Sequence, residues 1–159
     1  MQKVSRIMLP VAFSENDNLA ADYARQLALC FDAEVVLIHV SSLDFLMGHQ
    51  VPLRFIQKDS KDYEQEITDK LMRAFADKAL SEVKVQHKVV LTGNTASEIL
   101  KYGRENDIQM IVLASHCRKG LEKMFVGSVA RQVVKKSHCP VLLVHPPCPS
   151  KSRKVDFGP

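Results

Sequence analysis

Tryptophan is missing from this chain, aromatic residues make up only 6% of it, and it has six glycines in 159 residues. The scarcity of glycine has a chemical consequence. Neither G-x-G-x-x-G nor G-x-x-x-x-G-K-[ST] occurs, which removes the usual signatures of nicotinamide and P-loop nucleotide enzymes. G-x-S-x-G is missing too, and with it the nucleophile elbow of an α/β-hydrolase. No catalytic set stands out, and no enzyme is expected beyond slow ATP hydrolysis at most. No apolar run approaches the ~20 residues that a membrane-spanning helix needs. The opening residues, MQKVSRIMLPVAF, have neither the long apolar core nor the small-residue cleavage site of a signal peptide. A cytoplasmic location with no membrane partner is therefore expected. The four cysteines (Cys30, Cys117, Cys139 and Cys148) form no C-x-x-C pair. Two of them follow a histidine, at His116 and His138, but neighbours in an extended strand point to opposite faces and rarely chelate one ion. The expectation is no metal, with free thiols in a reduced compartment.

What is present suffices for one packed domain. Hydrophobic residues are 46% and charged residues 25%, ordinary proportions for a globular chain of this length. The excess of 22 Lys+Arg over 18 Asp+Glu leaves a net charge of +4, dispersed except in CRKGLEK, VKK and the tail KSRK. That is too little to argue for a nucleic-acid partner.

Short apolar runs alternate with amphipathic segments. RIMLPV reads as a buried strand with Pro10 near its end, where a missing N–H is tolerated. FSEND follows as a turn whose helix cap is Ser14 or Asn16. Leu19, Tyr23, Leu27 and Cys30 then recur at helical spacing, flanked by alanines. AEVVLIHV is apolar on both faces, as a covered parallel strand should be, and its His39 is read as a satisfied core or strand-end histidine rather than a ligand. Residues 41–58 form a long, apolar connection, suited to packing over something. A second helix runs from about Ser60 to Leu80, with Tyr63, Ile67, Leu71, Ala74 and Phe75 as its apolar stripe. VKVQHKVVL alternates in the manner of a strand near a sheet edge. Thr95 to Glu98 has the form of a capping box opening a third helix. IQMIVLA, SVARQVVKK and PVLLVH supply the fourth strand, the fourth helix and the fifth strand. The domain is expected over residues 1–146, with a disordered tail over 147–159, rich in proline and charge.

This alternation predicts a five-stranded parallel sheet with helices on both faces, a Rossmann-like α/β fold. In such a sheet the ligand crevice lies outside the carboxyl ends of the strands, where strand order reverses. If the first and fourth strands are neighbours, the loops PVAFSE and ASHCRKGLEKMFVGSVARQ face each other there. Gly127 and Ser128 at a helix start offer backbone N–H groups, a positive dipole end and a hydroxyl to a phosphate. The plainer alternative is that Ser128 caps its helix.

Over residues 3–145 the chain resembles the universal stress protein A family. The resemblance is carried by RIMLPVAFSE, by AEVVLIHV and, most specifically, by the stretch from TGNTASEIL through GSVARQVVKKSHCPVLLV. It implies an adenine nucleotide alpha hydrolase-like fold and a homodimer paired through the last strand, here Val141, Leu142, Leu143 and Val144. Nucleotide-binding members resemble G-x2-G-x9-G-[ST]. Ala114, Cys117, Gly127 and Ser128 fall at its fixed positions, so the spacing is kept and the first two glycines are replaced. Those members also carry PVDGSE in the first loop. Here Ala12 stands for the aspartate that holds the nucleoside, and Phe13 for the glycine. The candidate pocket is Pro10, Val11, Ala12, Val40, Leu113, Ala114, Cys117, Gly127, Ser128 and Val129, with no catalytic residue. The resemblance thus implies a non-catalytic regulatory homodimer, acting on a partner the sequence does not name. No cofactor is held firmly, and ATP or AMP binds weakly if at all. An ATP- or AMP-binding member with slow or no hydrolysis is the first alternative. A thiol-based redox sensor using Cys117 is the second.

Overall fold

A computed structural model describes residues 3–41, 60–90, 93–115 and 126–146. Among them five strands and four helices alternate: β1 (Arg6–Pro10), α1 (Glu15–Phe31), β2 (Glu34–Val40), α2 (Ser60–Ala79), β3 (Val85–Val90), α3 (Thr95–Glu105), β4 (Met110–Ala114), α4 (Ser128–Lys136) and β5 (Val141–Val144). The strands form one parallel sheet in the order β3-β2-β1-β4-β5. The expected five-stranded α/β fold is found, with β3 at one edge and β5 at the other. Nearly all of the 41–58 connection, and the tail over 147–159, lie outside the described residues.

The central strands are apolar throughout because both of their faces are covered. Ile7, Leu9, Val35 and Leu37 pack with Ala20, Ala24, Met72 and Ala76, under α1 and α2. Met8, Val36, Ile38 and Ile111 pack with Ile99, Leu100 and Val133, under α3 and α4.

Three local expectations are corrected. In α1 the buried face is Ala20, Ala21, Ala24 and Ala28, while Tyr23 is 46% exposed, Cys30 is exposed and Leu19 and Leu27 lie at the flank. Alanine lets the helix lie close on the sheet, which displaces the larger side chains to the rim. In α2 the buried line is Thr68, Met72 and Ala76, one residue round from the expected stripe, and Ala74 is exposed. The side chain of Tyr63 is outside the described residues. The cap of α3 is Asn94, whose side chain accepts the Ser97 N–H at 3.1 Å, so Thr95 is the first helical residue rather than the cap. Ser14 is the N-cap of α1, as expected.

Candidate functional site at the carboxyl ends of the strands

Strand order reverses between β1 and β4, and there the sheet opens. β1 pairs with β2 from Arg6 to Pro10, but with β4 only at Ile7 and Met8. Proline accounts for the difference. The Val11 N–H donates to Ile38 O at 2.9 Å, so the odd positions of β1 turn their backbone groups toward β2. The even positions turn toward β4, as the Gln109 N–H donating to Arg6 O at 3.1 Å shows. Pro10 is an even position and has no N–H to donate, so the β1–β4 ladder ends before it. The two strands are therefore unpaired at their carboxyl ends, the place where a doubly wound sheet puts its ligand crevice.

The polar interior of the protein collects at this end. The buried polar side chains among the described residues are Asp17, His39, Ser41, Thr68 and Ser115. Asp17 is in the first turn of α1, His39 and Ser41 close β2, and Ser115 follows β4. Thr68 lies two turns of α2 upstream of Phe75, whose ring meets Phe13. Buried polar groups are tolerated where hydrogen bonds hold them, and the first loop is held by several. Asp17 Oδ2 accepts the N–H groups of Ala12 (3.0 Å) and Ser14 (2.8 Å). The His39 Nδ1–H donates to Val11 O at 2.8 Å, which fixes the tautomer and ties the end of β2 to the first loop.

Between those anchors, Phe13 has a φ of 59°. This is the left-handed conformation that glycine, the residue the resemblance implies at this position, adopts at little cost. The Phe13 ring is turned onto His39, with centroids 4.8 Å apart and planes at 41°. It meets Phe75 edge-on at 6.4 Å and 79°.

The second loop departs differently. Ala114 is the last residue of β4 and half-buried, and it is not among the positive-φ residues. The cost of a left-handed side chain therefore does not arise there. What Ala114 adds is a methyl group where a backbone could otherwise approach a ligand. Cys117, with Arg118 and Lys119, is outside the described residues, and the thiol-sensor alternative lies there with it. Gly127 is the N-cap of α4 and makes no side-chain cap, while Ser128 is the first helical residue and is exposed. Ser128 therefore does not cap the helix. The end of β4 is tied to β5 twice: the Ser115 N–H donates to Val144 O at 2.9 Å, and Ser115 Oγ lies 2.5 Å from His145 Nδ1.

The candidate residues are thus placed as follows. Pro10, Val11 and Ala12 form the β1 side of the opening, with Ala12 exposed. Val40 ends β2, Leu113 and Ala114 end β4, and Gly127, Ser128 and Val129 start α4. The apolar members divide: Val11 packs under α1 and α2, whereas Val40, Leu113 and Val129 belong to the core under α3 and α4. Sequence reasoning alone does not single out Asp17 or Ser115. Asp17 carries the ordinary signal of an acidic residue in a first helical turn, and Ser115 carries none. Among the described residues no group of three metal-ligating side chains comes together. No helix among them is long and apolar enough to cross a membrane.

Comparison with known proteins agrees with this fold. The model of the Universal stress protein family matches residues 3–145. The chain is 31% identical over 150 residues to universal stress protein MJ0531 of Methanocaldococcus jannaschii, covering 89% of this chain and 82% of the relative. The solved structure of MJ0577, from the same organism, superposes with a TM-score of 0.73 at 25% identity, covering 92% of this chain and 99% of that one. The universal stress protein from Archaeoglobus fulgidus in complex with dAMP has the same fold, with a TM-score of 0.60 at 18% identity over 89% of this chain and 98% of that one.

Proposed function

Because this chain belongs to the universal stress protein family, we propose that it is a cytoplasmic, non-catalytic stress-response regulator, a homodimer whose adenine-nucleotide binding is weak or absent. The observation that carries the reading is the first loop. Ala12 offers no side-chain acceptor to a nucleoside hydroxyl, and its N–H is already bonded to Asp17. Losing a charged hydrogen-bond partner costs about 1.5–3 kcal/mol, or roughly one to two powers of ten in affinity. The methyl group of Ala114 acts in the same direction. The dAMP of the Archaeoglobus protein belongs to a chain that shares only the fold with this one, so the loops decide. One feature favours residual binding: the uncapped start of α4 at Gly127 can still attract an anion.

The test is direct. The purified protein is denatured and the supernatant chromatographed for released adenine nucleotide, after which MgATP is titrated by calorimetry. No released nucleotide and no micromolar site are expected. Co-purified ATP or a micromolar dissociation constant would overturn the reading.

The homodimer draws support from β5. This strand is the outer edge of the sheet, and an exposed edge invites pairing. Leu142 on the strand and Val134 on the neighbouring α4 are 36% and 50% exposed. Antiparallel pairing of two β5 strands gives a two-fold axis normal to the sheet. The two α4 helices then lie on the same side of the joint sheet, with Val134 available to the seam. Sedimentation velocity tests this; a monomer at tens of micromolar would overturn it.

A further inference from the structure

We propose that Asp17 determines which residue the first loop can carry at position 12, and through it whether the crevice can hold a nucleoside. The proposal rests on the reading of this crevice as a weakened nucleotide site. Asp17 is 3% exposed and sits at the third position of α1. One carboxylate oxygen binds the N–H groups of both Ala12 and Ser14, the two residues that flank left-handed Phe13. The carboxylate therefore holds the turn from inside and also uses the positive end of α1. Among the described residues no basic side chain pairs with it. Glu15, exposed in the same first turn, adds a second negative charge.

An aspartate at 12 would compete for the same environment. Covalent geometry keeps its carboxylate within about 4 Å of its own amide nitrogen. That nitrogen is 3.0 Å from Asp17 Oδ2. The two carboxylates would then lie within roughly 7 Å of one another, at one helix end where no basic side chain of the described residues pairs with Asp17. The inward Asp17 and an outward aspartate at 12 are alternatives. With Asp17 in place, the loop is complete without a ligand and resists the ligand-binding residue.

A double-mutant cycle in the full chain tests this without any ligand. Ala12→Asp is made with Asp17 present and with Asp17→Asn, which keeps the shape and removes the charge, and urea midpoints are compared. Ala12→Asp is expected to lower the midpoint clearly in the parent background and much less in the Asp17→Asn background. Equal shifts in the two backgrounds would overturn the proposal. If Asp17→Asn does not fold, Ala12→Asp is compared with Ala12→Asn in the parent chain. The aspartate variant should be the less stable, with the gap closing in 1 M salt, where screening acts over ~3 Å; no gap, or a gap indifferent to salt, would overturn the proposal. MgATP calorimetry is then run on Ala114→Gly/Cys117→Gly/Ala12→Asp with and without Asp17→Asn. Binding at least tenfold tighter with Asp17→Asn is expected, and equal affinity would overturn the proposal. If the stability cycle shows coupling while none of these variants binds ATP, the conflict at the loop stands and the reading of the crevice as a weakened nucleotide site falls.

Discussion

Phe13 offers the sharpest test of how the first loop is held. A φ of 59° at a phenylalanine costs roughly 1–2 kcal/mol relative to an ordinary backbone conformation. The ring offsets that cost by packing on His39 at 4.8 Å and edge-on to Phe75 at 6.4 Å. Aromatic pairs of this kind contribute about 0.5–1.5 kcal/mol beyond burial. Removing a fully buried phenylalanine costs about 3–5 kcal/mol, and Phe13 is only partly buried. Phe13→Ala loses the packing and keeps the strained backbone, for a net loss of about 2–3 kcal/mol. Phe13→Gly loses the same packing and recovers about 1–2 kcal/mol of strain, less up to about 1 kcal/mol for the freer unfolded chain. The expected order of stability is Phe, then Gly, then Ala, with Gly above Ala by about 0.5–1 kcal/mol. Elsewhere in a chain alanine is usually the milder substitution, so the order is diagnostic. Urea unfolding followed by circular dichroism at one protein concentration reads it. With a slope of about 2 kcal/mol per molar urea, the Gly and Ala variants should differ by roughly 0.3–0.5 M in midpoint. An alanine variant as stable as the glycine variant would show that the loop relaxes away from the left-handed conformation, and that its bonds to Asp17 and His39 do not impose it.

Other expectations can be checked on the same material. Asn94→Ala should destabilise by about 1 kcal/mol because it removes the acceptor for the Ser97 N–H; Thr95→Ala should change stability far less, and the reverse order in urea midpoints would restore Thr95 as the cap. Burial pushes the Cys139 thiol above its ordinary range, with the Ser137 hydroxyl pulling the other way, whereas Cys30 is exposed. At about pH 8 iodoacetamide should therefore modify Cys30 well before Cys139 in the folded protein, as read by peptide mass spectrometry; matched rates would contradict the packing of Cys139. Leu142→Glu would set like charges close together across a two-fold β5 pairing, so the variant should sediment as a monomer where the parent is a dimer. A dimer as strong as the parent's would place the interface elsewhere.

The fold is legible because the apolar runs of β1, β2 and β4 are short, continuous and separated by helical periods, as strands covered on both faces should be. Where a polar residue occupies a core line, periodicity misleads. Thr68 is buried between positions that look like the rim of α2, and the apolar pattern points to a stripe one residue off. The crevice is half legible. The spacing from Ala114 to Gly127 runs from the end of β4 to the start of α4, yet spacing carries no dihedral angle, and Ala114 is ordinary strand. Pro10 is visible as a strand end, but its effect on β4 depends on the parity of β1, which only the hydrogen bonds reveal. Asp17 is the hardest to see. An acid at the third position of a helix accounts for itself locally, as a partner of the cap, and nothing in one dimension says that the same oxygen also reaches Ala12. In the folded chain position 12 and the Asp17 carboxylate are joined through the Ala12 N–H, so a change at either position has to be judged with the other.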